Sequence, residues 1–218
     1  MFAMERKIHS LKDATIFLNP IQELLVKVIR AGFQDWIQIR SFVNMLEGGV
    51  VDYKPRTKAG IIHEHIKKYS KRTFEQIDDI VLGEFNGVFG LVVKNELFIR
   101  FKKMDKGFSV NSYFTLQHKK YLAQAQIEGF PETPTFLFAG YIPDRTWSEI
   151  LGVYVACWVN DRLKWVDEFG NYSSQQAYFD FDKKEDQIYK EIEKRVKGKI
   201  KIRKQGGNKK QNGSENSQ

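Results

Sequence analysis

The stretch "GVFGLVVKNELFIRFKK", Gly87 to Lys103, holds two apolar runs separated by the pair Lys94–Asn95. Side chains in each run alternate with period two. That is strand geometry, because successive residues leave a pleated backbone on opposite faces. A two-residue join between such runs predicts a β-hairpin. The second strand is asymmetric. Leu97, Ile99 and Phe101 share one face, and Phe98, Arg100 and Lys102 share the other. The apolar face belongs on a core. The basic face is either solvated surface and a guarded edge, or it holds something negative, with Phe98 as a stacking platform beside the cations.

Working outward, "TLQHKKYLAQAQIEG" predicts a helix with Thr115 as its cap. "TPTFLFAGYI" is a further strand. "EILGVYVACWV" and "RLKWVDEF" form a second hairpin around Asn160–Asp161. Both faces of "GVYVACWV" are apolar, which places that strand centrally, covered on both sides. Upstream, "NPIQELLVKVIRAG" opens with Asn19 as cap and Pro20 at the first helical position. "DWIQIRSFVNMLEGG" predicts a second helix, from Asp35 to a stop at Gly48–Gly49, and a third runs from Thr57 to Lys71. "TFEQIDDI" reads as a short fourth. The expected fold is α+β: N-terminal helices, then a mainly antiparallel sheet of about five strands with one crossing helix. One domain is expected over residues 1–182, helical to 82 and sheet thereafter. A basic amphipathic helix over 183–204 and a disordered tail over 205–218 follow it.

The chain of 218 residues is 42% hydrophobic and 14% aromatic, so a sizeable core is available and disorder throughout is excluded. Its apolar runs are too short to cross a bilayer. "MFAMERKIHSLKDATIF" reads as neither a signal peptide nor an anchor. The single cysteine, Cys157, rules out an intramolecular disulfide, fits a reducing cytoplasm, and sits in an apolar strand as a small core residue. The formal net charge of +8 is unevenly placed: Lys183–Gln218 carries 12 Lys and Arg against 5 Asp and Glu. The body is nearly neutral. The basic segment is therefore either a solubilising tail or a grip on nucleic acid or an acidic partner.

Few motifs carry chemistry. His63 and His65 are two apart, so on a helix they diverge by about 200° and do not chelate one metal. There is no paired-cysteine motif, no phosphate loop, no nucleophile elbow, and so no expected metal or cofactor. Asp144, Asp182 and Lys184 satisfy the letters of a metal-dependent nuclease signature, at long spacing. His63 is either a packed histidine or a general acid or base beside cations. Arg56, Lys58, Arg100, Lys102 and Lys103 are the candidate phosphate contacts.

"RTKAGIIHEH", "ELFIRFKKMD", Thr115 and Gln117 before "YLAQAQIEGFP", "AGYIPDRTWSEILGVYV" and Trp165 occur in this order. Together they resemble an uncharacterised family of bacterial and prophage proteins. Its members are often encoded beside a helix-turn-helix regulator and an ImmA/IrrE-like metallopeptidase, in a toxin–antitoxin-like or phage-defence setting. The resemblance covers residues 56–165. It implies recurring polar positions rather than an activity: Arg56, Thr57, His63, His65, Arg100, Lys102, Lys103, Asp105, Gln117 and Tyr141. The family has Gly-Thr before the Ile of its "GY" segment, where this chain has "TWSEI". The expected function is a nucleic-acid-binding accessory protein of such a module. The alternatives are a metal-independent ribonuclease-like toxin acting through His63, or an interaction subunit for a neighbouring-gene partner.

Overall fold

The computed structural model describes residues 8–46, 50–110, 115–131 and 134–170. Helices α1 (Leu11–Leu18), α2 (Gln22–Met45) and α3 (Pro55–Phe74) precede strands β1 (Ile80–Phe85), β2 (Val88–Val93) and β3 (Leu97–Lys103). Helix α4 (Leu116–Leu122) then leads to β4 (Thr135–Pro143), β5 (Ile150–Val159) and β6 (Arg162–Phe169). The strands form one sheet in the order β1-β2-β3-β4-β5-β6. Every neighbouring pair is antiparallel except β3–β4, which is parallel. Parallel strands need a crossover, and α4 lies in it. The fold is therefore α+β, as expected. The basic helix and tail expected beyond residue 182 lie outside the described residues.

Both expected hairpins are present. Lys94 and Asn95 have φ of 51° and 56°, and Asn160 and Asp161 have 50° and 63°. Two consecutive positive φ values match the twist of a two-residue turn to that of its strands.

The helices differ from expectation. "NPI" forms a 3₁₀ turn at Asn19–Ile21, joining α1, capped by Ser10, to α2. The two helices expected around Gly32 are one, because Gly32 is a contact and not a stop. A Cβ there would lie 2.6 Å from Ile66 Cγ1, so glycine lets α3 lie close against α2. Helix α3 starts two residues earlier than expected and ends at Phe74. The expected fourth helix is a turn leading into β1, a strand whose half-exposed faces and central Gly83 disguised it.

The two faces of the sheet are covered differently. Leu97, Ile99, Phe101, Leu137, Val155 and Trp165 join Leu25, Ile29, Phe33, Trp36 and Ile62 of the helices in one apolar cluster. On the other face α4 and the segment after it bring Tyr121 and Phe130 against Phe98 and Phe136. Phe98 is fully buried there, so it is core and not the stacking platform expected. Cys157 is also fully buried, which pushes its thiol up to about 12. Tyr121 Oη donates to the carbonyls of Leu137 (2.7 Å) and Phe98 (3.3 Å), pinning α4 to the parallel pair. Gln124 fixes the chain beyond α4: its Nε2 donates to the Phe136 and Trp158 carbonyls, at 2.8 and 2.9 Å. Among the described residues, no helix is long and apolar enough to cross a membrane.

The parallel register places Lys102 opposite Gly140. A Cβ on Gly140 would stand 2.0 Å from the Lys102 carbonyl oxygen, which no side-chain movement relieves. Gly140→Ala is expected to destabilise the fold by about 1–3 kcal/mol, with the midpoint of urea denaturation falling accordingly.

Candidate anion-binding site

The pairing of β2 with β3 stops early. It joins Leu91 to Ile99, Val92 to Phe98 and Val93 to Leu97, while the β3–β4 ladder continues to Lys103. From Arg100 onward β3 has no strand partner on its β2 side. A cavity of about 830 Å³ opens at this end of β3, walled by the first half of α3 and the start of α4. Because the sheet is incomplete there, four consecutive residues of β3, Arg100 through Lys103, line the cavity.

Five cations line it: Lys54, Arg56, Arg100, Lys102 and Lys103. No Asp or Glu does. Arg100 lies over the Tyr121 ring (4.9 Å to its centre) and within 6.0 Å of Phe138, cation–π contacts that fix the plane of the guanidinium. Burial lowers the Arg100 pKa. Burial, aided by Arg100, brings the Lys102 ammonium down to about 8. No carboxylate offsets either shift, which is unusual for partly buried cations.

Two histidines join them. Burial, followed by the nearby Lys102 charge, drops His63 to about 4, so it is neutral at pH 7. His63 also packs edge-on against Phe89. His118, on α4, is shifted in the same direction by burial and by Arg100 and Lys102. Thr115 caps α4 by accepting the His118 N–H at 3.1 Å. Gln117 is held by a 3.0 Å bond from its Nε2 to the Asn86 carbonyl.

Three further features concern the cavity's empty space. Tyr141 is 1% exposed, and its hydroxyl has no hydrogen-bond partner although the ring lines the cavity. A buried unsatisfied hydroxyl costs about 1–3 kcal/mol. Helix α3 begins with Lys54 and Arg56 where its dipole is positive, with no acidic residue in the first turn and no side-chain cap. Each such cation is unfavourable by about 0.3–1 kcal/mol. Gly60 lies inside α3 and lines the cavity, and a Cβ on it would meet nothing within 4 Å. Glycine there costs about 1 kcal/mol relative to alanine, with no packing reason. All three are unfavourable to the protein alone, and an anion in the cavity would relieve the second, the cations gathered at the start of α3.

Of the expected phosphate contacts, Arg56, Arg100, Lys102 and Lys103 converge here with His63. Lys58 does not. It pairs with Asp52 at 3.3 Å and lies 5.9 Å from the centre of the Trp147 ring. Of the polar positions implied by the family resemblance, Gln117 and Tyr141 also line the cavity, whereas Thr57, His65 and Asp105 do not. His65 bonds Asp35 at 2.6 Å, and Tyr69 donates to the same carboxylate at 2.9 Å. Burial opposes ionisation of Asp35, but bonds from Tyr69, His65 and Lys68 hold its pKa below the usual value. This network ties α3 to α2. Asp105 organises the turn after β3 through the N–H groups of Gly107 and Ser109. Asp144 is consumed by its own turn, accepting from Ser148 N at 2.7 Å and Glu149 N at 3.1 Å. Asp182 and Lys184 lie outside the described residues. Among the described residues, no three His, Cys, Asp or Glu side chains come together to hold a metal ion.

Sequence reasoning missed Lys54, Gly60 and His118. The usable signals were a cation directly before the helix-opening Pro55 and a glycine inside a helical pattern. Compared with known proteins, the chain matches no family model, no curated protein and no solved structure.

The Lys102 pKa is below its ordinary value of 10.5 in the folded state. The unfolded chain therefore binds more protons between pH 8 and 10.5, and folding stability rises with pH across that window. Lys102→Met is expected to raise stability at pH 7 by about 0.5–2 kcal/mol. It should also flatten the rise between pH 8 and 10.5, read from denaturation midpoints across the range.

Proposed function

We propose that this protein binds nucleic acid through the basic cavity, as an accessory protein of a mobile-element, phage-defence or toxin–antitoxin module. The observation that carries the binding reading is the convergence of five cations, with no carboxylate among the described residues, on one partly sheltered recess. Phosphate is the anion such a set suits. Arg100 is held flat by its aromatic neighbours and offers a bidentate edge, while the lysines act as point charges. The module assignment rests on the family resemblance of residues 56–165. The basic segment Lys183–Gln218 would add sequence-independent affinity that falls with salt.

A second reading has one observation of its own. His63 shares the cavity with Arg56, Arg100 and Lys102 and is neutral at pH 7, as a general base must be. In the ribonuclease reading His63 takes the proton from a ribose 2′-hydroxyl. The 2′-oxygen bonds to the adjacent phosphorus and the bond to the 5′-oxygen breaks. The Lys102 ammonium gives that oxygen a proton, leaving a 2′,3′-cyclic phosphate and a 5′-hydroxyl. Single-stranded RNA incubated with the protein in chelator should then yield those ends. Intact RNA, or equal cleavage by His63→Ala, removes this reading.

Binding is tested by anisotropy titration of a single-stranded oligonucleotide with the full chain, at salt high enough to suppress the tail's contribution. Arg56→Ala and Arg100→Ala are each expected to weaken binding about 10- to 100-fold, the loss of one charge-assisted hydrogen bond. Lys58→Ala should leave it within about twofold. No binding, or identical binding by all four proteins, excludes the cavity as the nucleic-acid site. The pH profile is a second check. Affinity should fall above pH about 8 as Lys102 loses its proton, and Lys102→Arg should abolish that fall.

A further inference from the structure

Lys102 stands in an unusual setting for an amine. It leaves the same face of β3 as Arg100, roughly 6–7 Å further along the strand. Both are half-buried and both line the cavity. The Arg100 guanidinium lies over the Tyr121 ring, 4.9 Å from its centre, which leaves the N–H edge for an anion. No ion pair among the described residues includes Lys102. The titratable groups that share its cavity are Arg100 and Lys103 on its own strand, Lys54, Arg56 and His63 from the side of α3, and His118 from α4. None of them is acidic. Desolvation and a neighbouring cation are two means by which a lysine becomes a nucleophile. Lys102 has both, so its ammonium falls to about 8, and about a tenth of it is free amine at pH 7.

The neighbours of that amine select its electrophile. Addition to an aldehyde is reversible and consumes no activated donor. Arg100 adds the requirement for an anion a short distance away. An aldehyde joined through a few single bonds to a phosphate spans the pair: the amine meets the carbonyl carbon while the guanidinium takes two phosphate oxygens. The phenyl and phenol rings that line the cavity, Phe101 and Tyr141, are each 1% exposed and present no face on which a base could stack. A sugar phosphate without a base therefore suits the recess better than a complete nucleotide.

We propose that Lys102 forms an imine with an aldehyde carried beside a phosphate, while Arg100 holds the phosphate. In a strand, where this rests on the nucleic-acid reading, the aldehyde is the ring-opened deoxyribose of an abasic site. The same chemistry has a second source, a free sugar phosphate. The Lys102 Nζ lone pair bonds to the aldehyde carbon, and the carbonyl π pair moves onto oxygen, which gains a proton as nitrogen loses one. The resulting hydroxyl leaves as water with the nitrogen's remaining proton, and C=N replaces C=O. Amine and aldehyde give imine and water, nothing is oxidised or reduced, and water reverses the step. His118, whose ring centre lies 6.4 Å from that of Phe138, lines the cavity from α4. Burial, then Arg100 and Lys102, lowers its pKa, so its neutral imidazole is available to carry protons between nitrogen and oxygen.

The test uses the full chain in chelator, at salt that suppresses the tail's contribution. One single-stranded DNA oligonucleotide carries an abasic site, an otherwise identical one is intact, and deoxyribose 5-phosphate is the free sugar phosphate. Cyanoborohydride reduces any imine to a stable amine, read as a covalent adduct and mapped by peptide mass. Wild type is expected to form an adduct with the abasic strand at Lys102 and none with the intact strand. Lys102→Arg should lower the yield at least about tenfold while binding the intact strand within about threefold. Lys58→Arg should trap as wild type does. Trapping should rise about tenfold from pH 6 to pH 7 and level off above about 8, the reverse of the affinity for the intact strand. An adduct that excess deoxyribose 5-phosphate leaves unchanged assigns the site to abasic strands, and one that it suppresses assigns the site to free sugar phosphates. Either supports the inference. No adduct, or adducts spread over other lysines and undiminished in Lys102→Arg, overturns the inference. If intact-strand binding is still weakened by Arg100→Ala, the nucleic-acid reading stands without it. No adduct at Lys102 together with no cavity-dependent binding overturns both.

Discussion

The site exists because one ladder is short. Strand β2 pairs with β1 over six residues but with β3 over only three, ending at Leu91 and Ile99. Had the pairing continued, Arg100 and Lys102 would lie on one face of a closed sheet and Phe101 and Lys103 on the other. Instead β3 runs on with a partner on its β4 side alone, and both sets of side chains open into one space. The neighbouring elements then complete it. The Gly32 contact and the Asp35 network hold α3 against α2, while Tyr121 pins α4 to β3 and β4. Each wall of the cavity is thus anchored by a bond or contact outside it.

Charge is distributed with the same bias. The body of the protein has almost as many acidic as basic residues, and several of them pair outside the cavity: Glu84 with Lys67, Glu96 with His9, Asp35 with His65 and Lys68. The cavity departs from that pattern. Arg100 and Lys102 are partly desolvated with no carboxylate to offset it, burial pushes the pKa of its two histidines down, and its tyrosine hydroxyl is left unbonded. Such local disfavour is expected where stability has been given up for ligand affinity.

The sheet was legible because its signals were local. Period-two runs around Lys94–Asn95 and Asn160–Asp161 identified four strands and two hairpins, and the apolar faces of "GVYVACWV" identified the doubly covered strand. Thr115 was legible as a cap because capping depends on the next three residues. What failed was non-local. Gly32 reads as a helix stop until Ile66 is known to lie against it. Strand β1 is too exposed to show its period. Arg100 and Lys102 were recognised as a basic face, but whether that face met water depended on α4 crossing above it. Lys58 fell on the wrong side of α3 because a run of cations at a helix start does not reveal which of them turns inward. Tyr141, His63 and Gln117 come from three separate elements, so only the assembled fold brings them together.

The parallel pairing of β3 with β4 has a consequence for how the chain acquires its shape. Leu97 is matched to Thr135, 38 residues on, a longer closure than any hairpin in the sheet requires. The entropy of that closure must be met before its contacts are gained. The β1–β3 meander and the β4–β6 meander can each form from near neighbours in sequence. The cavity lies across the junction of the two, with Arg100 and Lys102 on the β1–β3 side and Tyr141 on the β4–β6 side. Neither meander carries the site by itself, so the site is complete only once the long-range pairing of β3 with β4 has joined them.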